Sequence, residues 1–282
     1  MKHSLLNITR FIAAGAIVSA GALSANTIKL AYPNWAEGIA VTHLAKVVLE
    51  DELGYDVEMT MADPGAIYAA VADGNQDAFL DGWLPHTHAP YWEEFGDRLV
   101  DLGSVFGYGV TGLVVPAYME IDSIEQLSDI RDELDGRIVG IGTGAGIFRN
   151  TNRAIDEYGL DFEQVASSGP AMTAALADAI SEKKPIVVTG WKPHWKFGRY
   201  ELKVLDDPRG VFPIDGVKKI VRKGFAEDHP RVNQFLANFS LTEDQLLELM
   251  LAIDDSGDES TESVARDWAL LNEPLVDSWI PR

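Results

Sequence analysis

Residues 81–92 read DGWLPHTHAPYW and directly follow the apolar run 78–80, which predicts a buried strand. The pattern predicts that a helix begins near Thr87. A strand, a tight turn and a helix start together form the geometry by which α/β proteins present side chains and free backbone amides to a ligand. Because the stretch holds Trp83, two histidines and two further aromatic rings, it predicts a ligand site at this strand end.

Two other stretches also place a tryptophan just after an apolar run that predicts a strand. Residues 185–195 read PIVVTGWKPHW, so Trp191 comes directly after an apolar run and is followed by Pro and His. Residues 28–35 read IKLAYPNW and end on Trp35. Because the carboxyl ends of parallel strands meet at one edge of a sheet, we expect the three indole rings to lie close together.

Composition limits both the architecture and the partners. A chain of 282 residues with 46% hydrophobic content can form two modest α/β lobes or one large domain. The 44 acidic residues against 23 basic ones argue against nucleic-acid binding, which needs clustered Lys and Arg. The chain has no cysteine, which excludes disulfides, thiolate metal sites, cysteine nucleophiles and a lipidated N-terminal Cys.

The N-terminal residues 1–25 have the pattern of a secretory signal peptide. Lys2 and Arg10 form a basic region, residues 11–18 form an apolar core, and small residues follow up to Ala25. The apolar core is too short to span a bilayer comfortably. We therefore expect a periplasmic protein without a lipid anchor, acting as a monomer.

The remaining chain predicts an α/β fold of two lobes. The first part reads βαβαβα, the pattern of a parallel sheet with crossover helices, and Asn34 with Glu37 predicts a capping box on its first helix. A second βαβα unit follows, and residues 216–222 return the chain to the first sheet. The predicted lobes are residues 26–112 plus 213–282, and residues 113–212, inserted between them. The ligand is expected in the cleft between the lobes.

Three tryptophans around one cleft favour a cationic ligand without N–H groups. The face of an indole ring is negative, and a desolvated cation over it gains about 2 kcal/mol or more. The alternative is that the three rings are only core side chains. Trp92 and Trp195 lie a few residues into the following helices, where packing is expected, and the spacing of Trp268 predicts a core position.

Two features could hold an anion. His88, at the predicted helix start, can donate a hydrogen bond. Residues 142–147 are glycine-rich and open a helix, so the amides of Gly146 and Ile147 could meet a carboxylate at the positive end of the helix dipole. The same glycines would also suit a tight turn without a ligand.

Two other functional classes are weaker. A metal site built from His86, His88 and His194 lacks a carboxylate at helical spacing, and the first two histidines are only two residues apart. A secreted hydrolase would need a nucleophile motif, but no Gly-x-Ser-x-Gly elbow is present. We therefore predict a binding protein rather than an enzyme, with no cofactor and no metal.

Five motifs carry a resemblance to a known family, and it extends over nearly all of the chain after residue 25. The sequence resembles the substrate-binding proteins of ABC transporters that take up glycine betaine and related compatible solutes for osmoprotection. The motifs are NWAE at 34–37, GWLPHTH at 82–88, GAGI at 144–147, TGWKPHW at 189–195 and IVRKGF at 220–225.

The resemblance implies a two-lobed periplasmic binding protein fold, type II-like, with the ligand in the interlobe cleft. It implies a three-Trp cage formed by Trp35, Trp83 and Trp191, and a carboxylate clamp formed by His88 and the backbone amides of Gly146 and Ile147. The implied partners are the membrane permease and ATPase subunits of an ABC importer. The ligand would be glycine betaine or a related quaternary ammonium or sulfonium zwitterion, with dimethylsulfoniopropionate, carnitine and choline as alternatives.

Overall fold

The computed structural model describes residues 26–282, so the predicted signal peptide at 1–25 lies outside the described residues. Within this range the chain forms nine strands, all in one sheet, and eleven α-helices. Among these helices, none combines the length and the apolar character needed to cross a bilayer.

The strands form a mixed sheet in the order β2-β1-β3-β9-β4-β7-β5-β6, with β8 also paired to β4. The outer pairs, β2–β1, β1–β3, β7–β5 and β5–β6, are parallel, as predicted. At the centre of the sheet, β9 runs antiparallel to β3 and β4, and β4 runs antiparallel to β7. The prediction of purely parallel pairing is therefore wrong at the centre of the sheet. The strands are β1 (Thr27–Tyr32), β2 (Asp56–Met61), β3 (Ala78–Leu84), β4 (Leu99–Pro116), β5 (Arg137–Val139), β6 (Glu163–Val165), β7 (Val188–Lys192), β8 (Leu202–Val204) and β9 (Ile214–Arg222).

The helices cover the sheet and build a C-terminal helical segment. Short 3-10 helices at Gly96–Arg98 and Ile124–Ile130 join some of the elements. The α-helices are α1 (Ala36–Asp51), α2 (Pro64–Ala72), α3 (Ala89–Phe95), α4 (Gly146–Tyr158), α5 (Gly169–Glu182), α6 (Lys196–Arg199), α7 (Phe225–Asp228), α8 (Pro230–Asn238), α9 (Glu243–Asp255), α10 (Thr261–Leu271) and α11 (Glu273–Trp279).

Two predicted helix starts differ from the structure. The predicted capping box of Asn34 and Glu37 is wrong, because Trp35 occupies the cap of α1 without a side-chain hydrogen bond and Glu37 bonds elsewhere. The helix expected near Thr87 begins two residues later, at Ala89, with His88 at its cap. In both cases a side chain near the helix start bonds elsewhere and does not cap the helix: Glu37 accepts from Trp191, and His88 accepts from the N–H of Trp83.

Strand β4 connects the two halves of the sheet. It runs over 18 residues, and it pairs with β9 from Leu99 to Val110 and with β7 from Val110 to Val114. The change of partner at Val110 lies two residues before the proposed lobe boundary at 112/113. The lobe limits of 26–112 plus 213–282, and 113–212, stay a prediction that this change of partner supports.

The buried core forms three clusters. The largest joins the sheet to α1 and the C-terminal helices, and it includes Trp83, Trp191 and Trp268. Trp268 is 3% exposed, so its predicted core position is confirmed. A second cluster lies among residues 113–205, and a third lies under α2 and α3.

The C-terminal helices allow a matched test of this core. Leu249 on α9 is fully buried, whereas Leu271 at the end of α10 is 83% exposed. We expect Leu249→Ala to lower the free energy of unfolding by about 2–5 kcal/mol, because it leaves a cavity in the core. Leu271→Ala should change it by less than about 0.5 kcal/mol. Urea unfolding of both variants measures the difference, and equal losses would contradict this packing.

Candidate functional site

All six residues predicted for the site line a single cavity with an empty volume of about 260 Å³. It lies at the carboxyl ends of β3 and β7, between the cap of α1 and the start of α4. Four further residues complete the wall. The lining residues are Trp35, Trp83, Thr87, His88, Thr111, Ile141, Ala145, Gly146, Ile147 and Trp191.

The aromatic side chains form walls that are inclined to one another. The ring centroids of Trp35 and Trp191 are 6.3 Å apart at an interplanar angle of 58°, and those of Trp35 and His88 are 5.9 Å apart at 41°. Trp83 and Trp191 are each 3% exposed. The ring planes are therefore tilted and not stacked, and all four rings line the same cavity.

Trp83 is fixed from two sides. Its indole Nε1–H donates to the Asp81 carboxylate at 2.9 Å, two residues earlier on β3. On strand β4, which is separated from β3 by β9 in the sheet, Gly109 leaves the room for the ring, since a Cβ at that position would lie 2.6 Å from a ring carbon of Trp83. Any side chain at residue 109 would therefore displace this wall of the cavity.

Trp191 is held by a residue from the other end of the chain. Its Nε1–H donates to Oε2 of the buried Glu37 on α1 at 2.7 Å. Thr111 lies opposite Trp191 in the β4–β7 pairing. The Nζ atom of Lys196 lies 4.3 Å from the centroid of the Trp191 ring. The indole is therefore in contact with both an acid and an amine that are buried with it.

The sequence interpretation missed Glu37 and Asp81 as partners of the indole rings. Each acid lies two residues from a tryptophan of the site, in Trp35-Ala36-Glu37 and in Asp81-Gly82-Trp83. That spacing was a usable signal for Asp81, because side chains at i and i+2 of a strand lie on the same face. No local signal links Glu37 to its partner Trp191.

His88 is a neutral hydrogen-bond donor in this site. Its Nδ1 accepts the backbone N–H of Trp83 at 3.1 Å and lies 3.3 Å from the hydroxyl of Tyr68. Burial, with a smaller contribution from the charge of Arg149, lowers the pKa of His88 to about 3. The ring is therefore uncharged at neutral pH, its proton is on Nε2, and this buried Nε2 has no hydrogen-bond partner within residues 26–282.

Side chains of two other elements, β9 and α4, hold the loop that carries His88. The Asp215 carboxylate on β9 accepts the N–H groups of His86 and Thr87 at 2.7 and 3.0 Å. Arg149 on α4 donates to the carbonyl of Thr87 at 3.0 Å. Because both groups of contacts come from other elements, the position of His88 depends on the tertiary structure and not on the loop alone.

The first residues of α4 approach this loop closely. A Cβ at Gly146 would lie 2.2 Å from the carbonyl oxygen of Thr87, so only glycine fits there. The first N–H groups of a helix have no intrahelical partner, and they carry the positive end of the helix dipole. The amides of Gly146 and Ile147 therefore add donors to the cavity that already contains the donor of His88.

The structure does not bring the three histidines of the metal hypothesis together as ligands. His86 is exposed, and Nδ1 of both His88 and His194 accepts a backbone N–H. In the part of the chain that the structure describes, no three potential ligand side chains converge. Trp92 packs in the cluster under α2 and α3, and Trp195 lies against His194, so neither lines the cavity.

Comparison with known proteins gives a consistent result. The family model OpuAC, the substrate binding domain of ABC-type glycine betaine transport systems, matches residues 26–269. The glycine betaine/carnitine transport binding protein GbuC of Listeria monocytogenes is 41% identical over 155 residues, which are 54% of this chain. The match covers 51% of GbuC, so this chain spans about half the length of that relative.

Two solved structures share the architecture. Lactococcal OpuAC in its closed-liganded conformation with glycine betaine has a TM-score of 0.85 and 34% identity, covering 91% of this chain and 100% of that one. An ABC-transporter choline binding protein in complex with choline has a TM-score of 0.81 and 26% identity, covering 91% and 92%. The predicted two-lobed periplasmic binding protein fold is thereby confirmed.

The family match extends over most of the sequence and over all of the elements that build the cavity. The family is one of substrate binding domains of transport systems and not of enzymes, which agrees with the prediction of a binding protein. The chain therefore belongs to the OpuAC family, the substrate binding domains of ABC-type glycine betaine transport systems.

Proposed function

We propose that this protein is the binding component of an ABC importer and captures glycine betaine or a closely related methylated-onium zwitterion. One observation carries the proposal. Three indole rings and the unpartnered Nε2–H of a neutral histidine line the same small cavity. A betaine has two halves: its cation without N–H groups matches the indole rings, and its carboxylate matches the histidine N–H.

The proposed cage for the onium group consists of Trp35, Trp83 and Trp191. A quaternary nitrogen or a sulfonium has no hydrogen to donate, so ring faces are the recognition available to it. Each desolvated ring face contributes about 2 kcal/mol or more to holding a cation. The deep burial of Trp83 and Trp191 supports this, because water would weaken the attraction.

The proposed clamp for the carboxylate consists of His88 with the amides of Gly146 and Ile147. All three groups are donors, and the amides lie at the positive end of α4. His88 is neutral, so it binds the carboxylate by a hydrogen bond and not as an ion pair. Hydrogen bonds to a charged acceptor contribute about 1.5–3 kcal/mol, enough to orient a small ligand.

The close lining of the cavity favours the smaller ligands. Three indole rings and the imidazole of His88 surround it, which leaves little room for a long chain. Glycine betaine and dimethylsulfoniopropionate suit it better than carnitine with its longer chain. Choline is the second candidate, because a structural relative holds choline, but choline would leave the carboxylate clamp unused.

The proposed setting is the periplasm, where binding proteins of ABC importers capture solutes outside the cytoplasm. The proposed partners are the permease and ATPase subunits, to which the closed, liganded form would dock. Contacts that join residues of the two predicted lobes, such as Arg149 to the carbonyl of Thr87, support closure around the ligand. A monomer is expected.

Calorimetry with a panel of five ligands tests the proposed function directly. We expect glycine betaine, proline betaine and dimethylsulfoniopropionate to bind, with carnitine weaker because of its length. Choline should bind at least about tenfold more weakly than the best zwitterion, since it cannot use the clamp. Failure of all five ligands to bind would contradict the proposal.

Alanine variants test the cage. Trp35→Ala, Trp83→Ala and Trp191→Ala each remove one ring face and should weaken glycine betaine binding by about tenfold or more. Trp92→Ala serves as the control, because Trp92 is partly buried but does not line the cavity. Thermal unfolding checks that each variant is folded. Unchanged affinity in all three cage variants would exclude the cage.

A variant of His88 tests the clamp separately. His88→Ala should weaken glycine betaine binding by about tenfold or more, because it removes a hydrogen bond to a charged group. Choline has no carboxylate, so its affinity should fall less than that of glycine betaine, through the loss of the Nδ1 bond to the Trp83 amide alone. Competition binding measures both ligands on the same variant. An equal loss for the two ligands would show that His88 does not contact the carboxylate.

A further inference from the structure

Two buried carboxylates, Glu37 and Asp81, lie beside the aromatic cavity without lining it. We propose that they determine the preference for a cationic head: each holds one cage indole by its N–H and supplies negative charge to the cage. This inference rests on the proposed function and extends it. It assigns cation selectivity to residues that need not touch the ligand.

Glu37 binds Trp191 through only one of its two carboxylate oxygens. Its side chain is 1% exposed, and Oε2 accepts the indole N–H at 2.7 Å. The second oxygen, Oε1, is buried and has no hydrogen-bond partner among the described residues. One oxygen of this carboxylate is therefore unpaired within the described residues.

Asp81 repeats the arrangement at Trp83. It is fully buried, Oδ1 accepts the indole N–H at 2.9 Å, and Oδ2 is likewise without a partner within residues 26–282. The start of α1 lies close by, since a Cβ at Gly38 would lie 2.6 Å from Oδ2. Asp81 therefore lies near Glu37, and burial, together with the charge of Glu37, raises the pKa of Asp81.

Lys196 completes a buried charge cluster of Glu37, Asp81 and Lys196. Its Nζ is buried, has no hydrogen-bond partner in the described chain, and lies over the ring of Trp191. With all three groups ionised, two negative charges face one positive charge. The cluster then has a net charge of −1 beside a cavity that is otherwise lined by neutral side chains.

The charge of this cluster acts on a bound cation in two ways. A carboxylate that accepts an indole N–H polarises the ring, and the negative potential of the ring face increases. The uncompensated charge also attracts the onium group through a medium of low dielectric constant. A buried acid without a counter-charge is costly, and a cationic ligand offsets that cost while a neutral one does not.

Titration of the cluster predicts a pH dependence. Burial raises the pKa of Glu37 to about 7, although Trp191 and Lys196 oppose the shift, and burial lowers the pKa of Lys196 to about 7. Raising the pH from about 6 to 8 therefore deprotonates both groups and makes the cluster more negative. Cation preference should increase over this interval.

The neighbouring groups do not reverse this sign. Burial lowers the pKa of His88 to about 3 and that of His194 well below its usual range, so both rings stay neutral. Burial raises the pKa of Tyr68, which therefore stays protonated. Burial and the charge of Glu37 raise the pKa of Asp81, and its loss of a proton would add negative charge in the same direction. Arg149 remains a fixed positive charge.

The test compares glycine betaine with 3,3-dimethylbutanoate, in which a carbon atom replaces the quaternary nitrogen while the shape and the carboxylate are kept. The ratio of the two dissociation constants, measured by calorimetry and by competition, reports cation preference alone. Glu37→Gln and Asp81→Asn remove charge but keep an oxygen that can accept the indole N–H. Asp77→Asn is the matched control, because Asp77 is also a buried acid, ion-paired to Arg222. Asp77 comes just before β3, at the opposite end of that strand from Trp83.

At pH 8, where the cluster is most negative, we expect each of the two cluster variants to lower the preference for glycine betaine about tenfold, and Asp77→Asn to leave it unchanged. In the wild type, the preference should rise between pH 6 and pH 8, a result that needs no variant to fold. Variants that keep the wild-type preference, together with a flat pH profile, would overturn the inference and leave the proposed function intact. A wild type that does not prefer the cation would contradict the proposed function itself, and this inference with it.

Discussion

The hydrogen bond from the backbone N–H of Trp83 to Nδ1 of His88, 3.1 Å long and fully buried, organises the candidate site. It fixes the tautomer of the imidazole, so that the proton is on Nε2, and it closes the turn between β3 and α3. The same bond ties one proposed wall of the onium cage to the proposed carboxylate donor. Burial keeps the ring neutral, which allows it to accept at one nitrogen and donate at the other.

The rest of the site is built from distant parts of the chain around this bond. Glu37 and Trp191 meet across 154 positions of sequence, and Asp215 anchors the loop from across 128 or more. The long strand β4 makes these meetings possible, because it pairs with β9 along one half and with β7 along the other. The cavity is therefore a product of the sheet order, and a change in that order would separate the proposed cage from the proposed clamp.

Features that depend on residues close together in the sequence could be predicted, whereas contacts between residues far apart in the sequence could not. Apolar runs that end on Trp35, Trp83 and Trp191 identify strand ends, and the glycine-rich opening of α4 is visible at Gly146, because these signals extend over a few residues. The antiparallel position of β9, the full length of β4 and the bond from Glu37 to Trp191 depend on residues more than a hundred positions apart. Glu37 also fits a capping box, and only the tertiary contact decides between the two roles.

A crystal structure of the protein with glycine betaine tests the central claim most directly. The account predicts the trimethylammonium group between the rings of Trp35, Trp83 and Trp191. It predicts one carboxylate oxygen within hydrogen-bond distance of Nε2 of His88, and the other near the amides of Gly146 and Ile147. A ligand bound in the reverse orientation, or bound outside this cavity, would contradict it.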